Sequence, residues 1–382
     1  MNLKSPIYFD NAATTFPKPP SVITATLECM ERYCGNPGRG SHVLAMRSAE
    51  QVYLAREAVA ELFHASPENV IFTLNTTYAL NLAIKGAMAS GGHVLISNME
   101  HNSVLRPVAK LARDKKITYS VFDGYNGGDP SPRTILTSII SHMRRDTKLL
   151  VCAHASNICS YSLPIREIGA LCRRHGILFC VDAAQSAGHL PIDMEADSID
   201  ILCLPAHKGL YSPQGCGIMI LRRGLQLDTL IEGGNGVSSL EPSMGTASPE
   251  RYEGGTLCTP AIAGLCAGID FVKSYGVDEI AEHSRKLWLQ AAERLKRIKD
   301  IKIHDPTPGS VLLFSADGIP SDTLGEELGK KGYCLRTGYH CASLAHKALG
   351  TPDGGALRIS FGVFNTADEV DLLCHELESM LR

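Results

Sequence analysis

Two short runs, Val181-Asp182-Ala183-Ala184-Gln185 and Leu204-Pro205-Ala206-His207-Lys208-Gly209, each close an apolar stretch on groups able to do chemistry. The first delivers a carboxylate from a buried-looking strand, and the second delivers a His-Lys pair close by. A lysine amine can hold an aldehyde as a Schiff base. A carboxylate can keep a pyridine nitrogen protonated, so that the ring accepts electrons. Pyridoxal phosphate needs both groups. Either residue alone says little, because most lysines are solvated surface charges and many aspartates cap turns.

Other groups fall at comparable places. Thr76-Thr77 follow a strand and open a helix, where hydroxyls and free backbone N–H groups suit a phosphate. Taken alone they read as an ordinary helix cap. His101 lies just past the next strand, placed to stack on a cofactor ring or to shuttle a proton; alone it reads as a polar loop residue. Asn157 follows a further strand and could bond the ring. Gln185, three residues after Asp182, could reach the ring's phenolic oxygen. Ligands of open α/β sheets bind outside the carboxyl ends of the strands, and all these positions fall there.

The elements that must hold them are legible. Near-continuous apolar runs at 70–73, 93–96, 148–152, 177–181, 199–203 and 217–221 predict strands buried on both faces of a mainly parallel sheet. Helical stretches at 49–63, 77–88, 104–114 and 165–175 fall between them, which is the α/β pattern. Gly-rich loops break it at 36–40, 232–236 and 253–256. Two long helices, over 261–275 and 277–298, lead into a different module with strands near 310–314, 333–336 and 357–361 and a final helix, which reads as a small α+β domain.

Composition narrows the class. With 382 residues, 44% hydrophobic and 20% charged, the chain is an ordinary globular protein long enough for two domains. A formal charge of -3 carries no footprint for nucleic acid or an anionic membrane. No run resembles a secretory signal or a membrane span, which points to the cytoplasm. The 13 cysteines include no Cys-x-x-Cys pair, so no metal site is expected. Most sit among apolar neighbours and read as small buried hydrophobes; Cys341 is the expected exception.

With these runs in place, the chain resembles the class V aminotransferase superfamily, and within it the cysteine desulfurases and selenocysteine lyases of the shorter-loop group II. The likeness begins at Tyr8-Phe9-Asp10-Asn11-Ala12-Ala13-Thr14-Thr15 and continues through Phe72-Thr73-Leu74-Asn75-Thr76-Thr77. It takes in the His101, Asn157, Asp182/Gln185 and His207-Lys208 positions and Glu253-Gly254-Gly255-Thr256. It ends with Arg336-Thr337-Gly338-Tyr339-His340-Cys341 and Leu357-Arg358-Ile359-Ser360.

The resemblance implies the PLP-dependent fold type I: a large domain over 16–262 with a mainly parallel seven-stranded sheet between helices, and a small α+β domain from 1–15 and 263–382. It implies a homodimer, with Thr256 donated to the neighbouring subunit's phosphate. Cofactor contacts would come from Thr76, Thr77, His101, Asn157, Asp182, Gln185, His207 and Lys208. Arg358 would grip the substrate carboxylate, beside Asn11 and Ala13. Lys208, His101 and Cys341 would be catalytic, with Cys341 the sulfur-accepting nucleophile. A Gly- and His-containing loop between Arg336 and Arg358 also suits a thiolate independently.

Two runs depart from the pattern. Pro205-Ala206 stands where a small hydroxyl or glycine precedes the His-Lys pair, which removes one expected phosphate bond. Ile158-Cys159-Ser160-Tyr161-Ser162 is bulkier and more polar than expected and is placed beside the ring. The expected activity is conversion of L-cysteine to L-alanine with sulfur passed to Cys341. The alternatives are selenocysteine lyase activity or another PLP-dependent β-elimination or transamination. A non-catalytic carrier is disfavoured by the presence of Lys208, Asp182 and Arg358. A sulfur- or selenium-acceptor protein is the expected partner besides the amino-acid substrate.

Overall fold

A computed structural model describes residues 6–381 except 39, 128–130 and 237–238. Arg39 of the first Gly-rich loop and residues 1–5 of the expected small domain thus lie outside the described residues.

The chain opens with β1 (Ile7–Tyr8), α1 (Pro20–Arg32) and α2 (Val43–Phe63). The alternating region follows: β2 (Val70–Thr73), α3 (Thr76–Ala87), β3 (Gly92–Ser97), α4 (Asn102–Arg113), β4 (Ile117–Phe122), α5 (Pro132–His142) and β5 (Thr147–Ala153). It continues through α6 (Ile165–His175), β6 (Leu178–Asp182), β7 (Ile201–Pro205) and β8 (Gly217–Leu221). These strands form one seven-stranded sheet in the order β2-β8-β7-β6-β5-β3-β4. Only β8 runs against its neighbours in that sheet, being antiparallel to both β2 and β7.

Side chains along a strand alternate between faces, and here both faces are buried. Leu150, Cys152, Phe179, Val181, Leu202 and Leu204 enter one core. Their neighbours Leu149, Val151, Cys180, Ile201 and Cys203 enter the core on the other face. That is why these strands read as unbroken apolar runs. The strand without such a run is β4, an edge strand whose middle is only half-buried. Its alternating Ile-Thr-Tyr-Ser-Val-Phe was not among the six apolar runs.

Two further helices, α7 (Thr259–Tyr275) and α8 (Val277–Leu295), lead to β9 (Ile301–Ile303), β10 (Val311–Ala316), α9 (Ser321–Lys330), β11 (Tyr333–Cys334), α10 (Ser343–Leu349), β12 (Leu357–Ser360) and α11 (Ala367–Met380). A three-stranded antiparallel sheet, β12-β10-β9, packs with α8 and α11 around Trp288, Phe314, Ile359 and Leu377. The N-terminal strand β1 pairs in parallel with β11, and Phe9 enters the same core. Residues 7–9 therefore fold with the last hundred.

The turn after β7 brings Lys208 against the segment carrying Gln185, and the approach is close. A Cβ on Gly209 would lie 2.1 Å from the Ala187 carbonyl oxygen. Gly209→Ala is therefore expected to destabilise the protein by about 1–3 kcal/mol, as overpacking of backbone against backbone does. Chemical denaturation checks it, and an unchanged midpoint would remove the steric argument.

Candidate active site

The carboxyl ends of five strands converge on one cavity. Its lining includes Thr76, Thr77, His101, Asn157, Asp182, Gln185, His207 and Lys208, the eight residues expected to contact the cofactor from within one chain. Each stands there for a local reason. Helix α3 begins at Thr76 because Asn75 caps it: its side-chain oxygen accepts the Tyr78 amide at 2.9 Å, and its carbonyl accepts the Ala79 amide at 3.1 Å. The amides of Thr76 and Thr77 precede the helix's own acceptors and face no intrahelical partner. Gly217 allows this, since a Cβ there would sit 2.4 Å from the Asn75 carbonyl carbon. Unclaimed N–H groups at a helix start form an anion site.

His101 caps the next helix, α4. The Ser103 backbone N–H donates to its Nδ1 at 3.0 Å, which leaves the proton of the neutral ring on Nε2. Ser103 Oγ also bonds Thr77 Oγ1 at 2.7 Å, tying the starts of α3 and α4 together. Burial pushes the His101 pKa down to about 4, assisted by the charge of Lys208, so the ring is neutral at pH 7. The same causes hold His207 near 4.

Asp182 ends β6 and is buried, with Oδ1 accepting the Ala184 amide at 3.0 Å. Loss of water raises its pKa to about 6, opposed by the Ala184 bond and by Lys208. Lys208 moves the other way, to about 8; burial lowers it, Asp182 raises it, and Arg358 and Arg336 lower it further. A cavity that disfavours both charges keeps a carboxylate and an amine poised close to neutrality. An anion-binding helix start, a carboxylate and an amine fit pyridoxal phosphate.

Other expected site residues lie outside this lining. Arg358, on β12, is 2% exposed. Its Nη2 donates to Asp10 Oδ1 at 2.6 Å and its Nη1 to the Asn157 carbonyl at 2.8 Å, while Nε is buried with no acceptor. Asn11 donates to the Ser360 carbonyl and to Asn365 Oδ1, at 3.0 and 3.1 Å, and Ala13 turns back on the Asp10 carbonyl. Gln185 donates to the Ala12 carbonyl at 2.9 Å. Thr256 does not line the Lys208 cavity of its own chain; it borders separate clefts with Asn36, Arg56 and Glu253. Glu253 anchors that loop, bonding Arg56 at 2.5 Å and the Phe72 amide at 2.6 Å.

Cys341 is exposed and has a left-handed backbone, φ +56, directly after His340 at φ +49. Its carbonyl accepts the Asn102 amide at 2.7 Å, which links the loop to the helix that His101 caps. Asn157 donates to the His340 carbonyl at 2.8 Å. Cys341 is not alone among the cysteines, as Cys34 and Cys258 are also exposed.

In the segment after Asn157, none of Ile158, Cys159, Ser160, Tyr161 and Ser162 lines the Lys208 cavity; Cys159, Ser160 and Ser162 border a neighbouring cleft that Gln185 also lines. Ile158 and Cys159 are buried in the core, and Ser160 Oγ donates to the Val311 carbonyl (2.8 Å) and accepts the Val311 amide (3.0 Å). Its bulk and polarity dock β10 against the large sheet.

The family model for class V aminotransferases matches residues 7–373. The chain belongs to that family. A probable cysteine desulfurase of Methanothermobacter thermautotrophicus is 31% identical, covering 99% of this chain and 95% of the relative. A cysteine desulfurase of Yersinia pestis is 30% identical, covering 97% and 92%. Among solved structures, a cysteine desulfurase from Thermococcus onnurineus superposes with a TM-score of 0.89 at 28% identity, covering 98% of this chain and 94% of its own.

Several groups of this class V aminotransferase site were not singled out from sequence. Asp10 pairs with Arg358, Ser103 bridges two helix starts, and Lys18 donates to the His207 carbonyl at 2.8 Å. Asp10 stood within the N-terminal signature, but its partner lies 348 residues away.

In the cofactor-free protein, an amine-acylating reagent is expected to modify Lys208 with half-maximal rate near pH 8. Surface lysines should follow about two units higher. Asp182→Asn removes the opposite charge and should move the midpoint lower still. Peptide mass mapping across a pH series checks both, and a Lys208 midpoint among the surface lysines would remove the desolvation account.

Proposed function

We propose that this class V aminotransferase family member is a PLP-dependent cysteine desulfurase that converts L-cysteine to L-alanine and receives the sulfur on Cys341 as a persulfide. One observation carries the reading: the Asp182–Lys208–His101 cavity, with an exposed cysteine whose loop is hydrogen-bonded to the helix that His101 caps. The names of the relatives point the same way.

When bound, pyridoxal phosphate supplies the electron sink that makes the substrate's Cα–H acidic. The rest falls to this chain. The start of α3, with Thr76 and Thr77, would hold the phosphate, with His207 as a further polar group nearby. Asp182 would keep a proton on the ring nitrogen, and His101 would offer its Nε2–H to the bound group. Lys208 would hold the aldehyde and, once freed, take up the Cα proton; burial, which brings its amine to about 8 in the cofactor-free protein, suits a base close to neutral pH.

Arg358 receives the substrate carboxylate, and its unsatisfied buried Nε supports this role, since a carboxylate supplies the missing acceptor. Asn11, Ala13 and Asn157 shape that end of the site. The Cys341 thiolate attacks the substrate's sulfur. An S–S bond forms as the substrate's C–S bond breaks, and the electron pair stays on the carbon that becomes the alanine methyl group.

A homodimer fits the exposed apolar side chains of α1 and α2. Ile23, Leu27, Met30, Val43 and Met46 are each at least half exposed. The two helices meet through Glu28 and Arg47 at 3.7 Å. The cleft holding Thr256 is lined by Ala49, Val52 and Arg56 of α2. Association through this flank would carry Thr256 toward a second copy's phosphate site.

Cys341→Ala in the cofactor-loaded enzyme is expected to lower alanine release from L-cysteine by about a hundredfold or more, the range for losing a covalent nucleophile. Persistence of native turnover in that variant would overturn the reading. Alanine from L-selenocysteine alone would make the protein a selenocysteine lyase. Light scattering should give twice the mass of one chain, and Leu27→Glu with Met30→Glu should halve it and loosen the cofactor.

A further inference from the structure

Behind Cys341 lies a file of polar side chains that the chemistry above does not use. His340 is 5% exposed and His346 2%. Their ring planes are 7° apart, and Nδ1 of His340 lies 3.1 Å from Nε2 of His346. At one end His340 Nε2 is 3.3 Å from the Arg336 carbonyl, and at the other His346 Nδ1 is 2.9 Å from Thr351 Oγ1.

The direction of both bonds made by the His340 ring is forced. A carbonyl only accepts, so His340 Nε2 carries a proton. Both rings are neutral at pH 7, because burial pushes His340 down to about 3 and His346 to about 4. His340 Nδ1 is then a lone pair, and His346 Nε2 must donate to it. That leaves His346 Nδ1 as a lone pair 2.9 Å from the Thr351 hydroxyl, whose proton it shares with the His346 carbonyl at 3.3 Å. The edge of the Tyr339 ring covers His346 at 5.4 Å, and the Tyr339 hydroxyl accepts the Gly354 amide at 3.0 Å.

The file ends at a sensitive place. The Arg336 carbonyl also accepts the Arg358 amide at 2.8 Å, so the same oxygen braces the strand that carries Arg358. Between Arg336 and the file runs the loop with His340 and Cys341, two consecutive left-handed residues that carry a Cβ. Such a backbone is disfavoured and persists only where its surroundings over-determine it. The His340 carbonyl is held by Asn157 and the Cys341 carbonyl by Asn102. The ring of His340 is held by the file.

We propose that His346 and Thr351 are positioning residues for Cys341: the one-way file Thr351, His346, His340, Arg336 carbonyl fixes the loop in its left-handed form and so sets the rate of sulfur transfer without touching substrate or cofactor. Its effect on rate rests on Cys341 being the sulfur acceptor; its effect on the loop does not.

The test compares cofactor-loaded His346→Met, His346→Gln and Thr351→Val with the native enzyme and with Cys341→Ala. Methionine fills the space without a donor, whereas glutamine returns an N–H near the position of Nε2. His346→Met should speed amide exchange across residues 336–345 and lower kcat for L-cysteine, each about tenfold, the usual consequence of orphaning one buried polar group. KM and the cofactor's absorption should not move. His346→Gln should recover most of both losses. Thr351→Val should shift both readouts the same way by less, and it carries the test if His346→Met does not fold.

Native exchange in His346→Met and Thr351→Val would overturn the proposal. So would a His346→Gln enzyme as impaired as His346→Met, or a loss confined to KM and cofactor binding. If Cys341→Ala keeps native turnover, the desulfurase reading fails by itself, and the exchange data still decide whether the file holds the loop.

Discussion

Arg358 is the interaction on which the rest of the site depends. A guanidinium this deeply buried is tolerable only with its charge matched and its donors placed. Asp10 supplies the charge at 2.6 Å and the Asn157 carbonyl accepts a second bond at 2.8 Å. Those two partners come from the start of the chain and from the loop after β5, while Arg358 itself comes from β12. Three distant segments are therefore held at one point. Removing one partner of such a pair leaves an uncompensated buried charge, a loss of about 3–5 kcal/mol in comparable cases. Asn157 extends the junction, since its side chain donates to the His340 carbonyl in the Cys341 loop.

Around this junction the cavity is tuned by the absence of water more than by direct ion pairing. Desolvation is the largest influence on His101, Asp182, His207 and Lys208. It favours the neutral form of each, so the imidazoles are uncharged at pH 7, Asp182 titrates near 6 and Lys208 near 8. No ion pair joins Lys208 to Asp182 among the described residues, and the two sit at the ends of adjacent strands with the cavity beside them. A lysine locked to its carboxylate would have neither group free for a cofactor.

The exposed Cys341 presents the opposite problem. The sulfur-accepting role proposed for Cys341 requires an accessible thiol, yet an accessible loop residue is usually mobile. The solution is to bury what surrounds it. Ala342 and Ala345 enter the large core, His340 and His346 are buried, and both neighbouring carbonyls are bonded across to Asn157 and Asn102. The thiol is thus presented on a rigid turn.

Residue types and their order along the chain were enough to place the buried parallel strands, because each is covered on both faces and shows as an unbroken apolar run. They were also enough to bring Asp182, Lys208, Thr76, Thr77, His101, Asn157, Gln185 and His207 together, because strand ends in a parallel sheet share one edge. Edge strand β4 escaped for the converse reason, being half-exposed and alternating. Tertiary structure alone decided the remainder. It joined Asp10 to Arg358, bonded Ser160 to Val311 and set Ile158–Ser162 beside the Lys208 cavity without lining it, kept Thr256 away from its own chain's cavity, and lined up Thr351, His346 and His340. Each of those depends on the distance and direction between side chains brought together by folding, and spacing along a sequence carries neither.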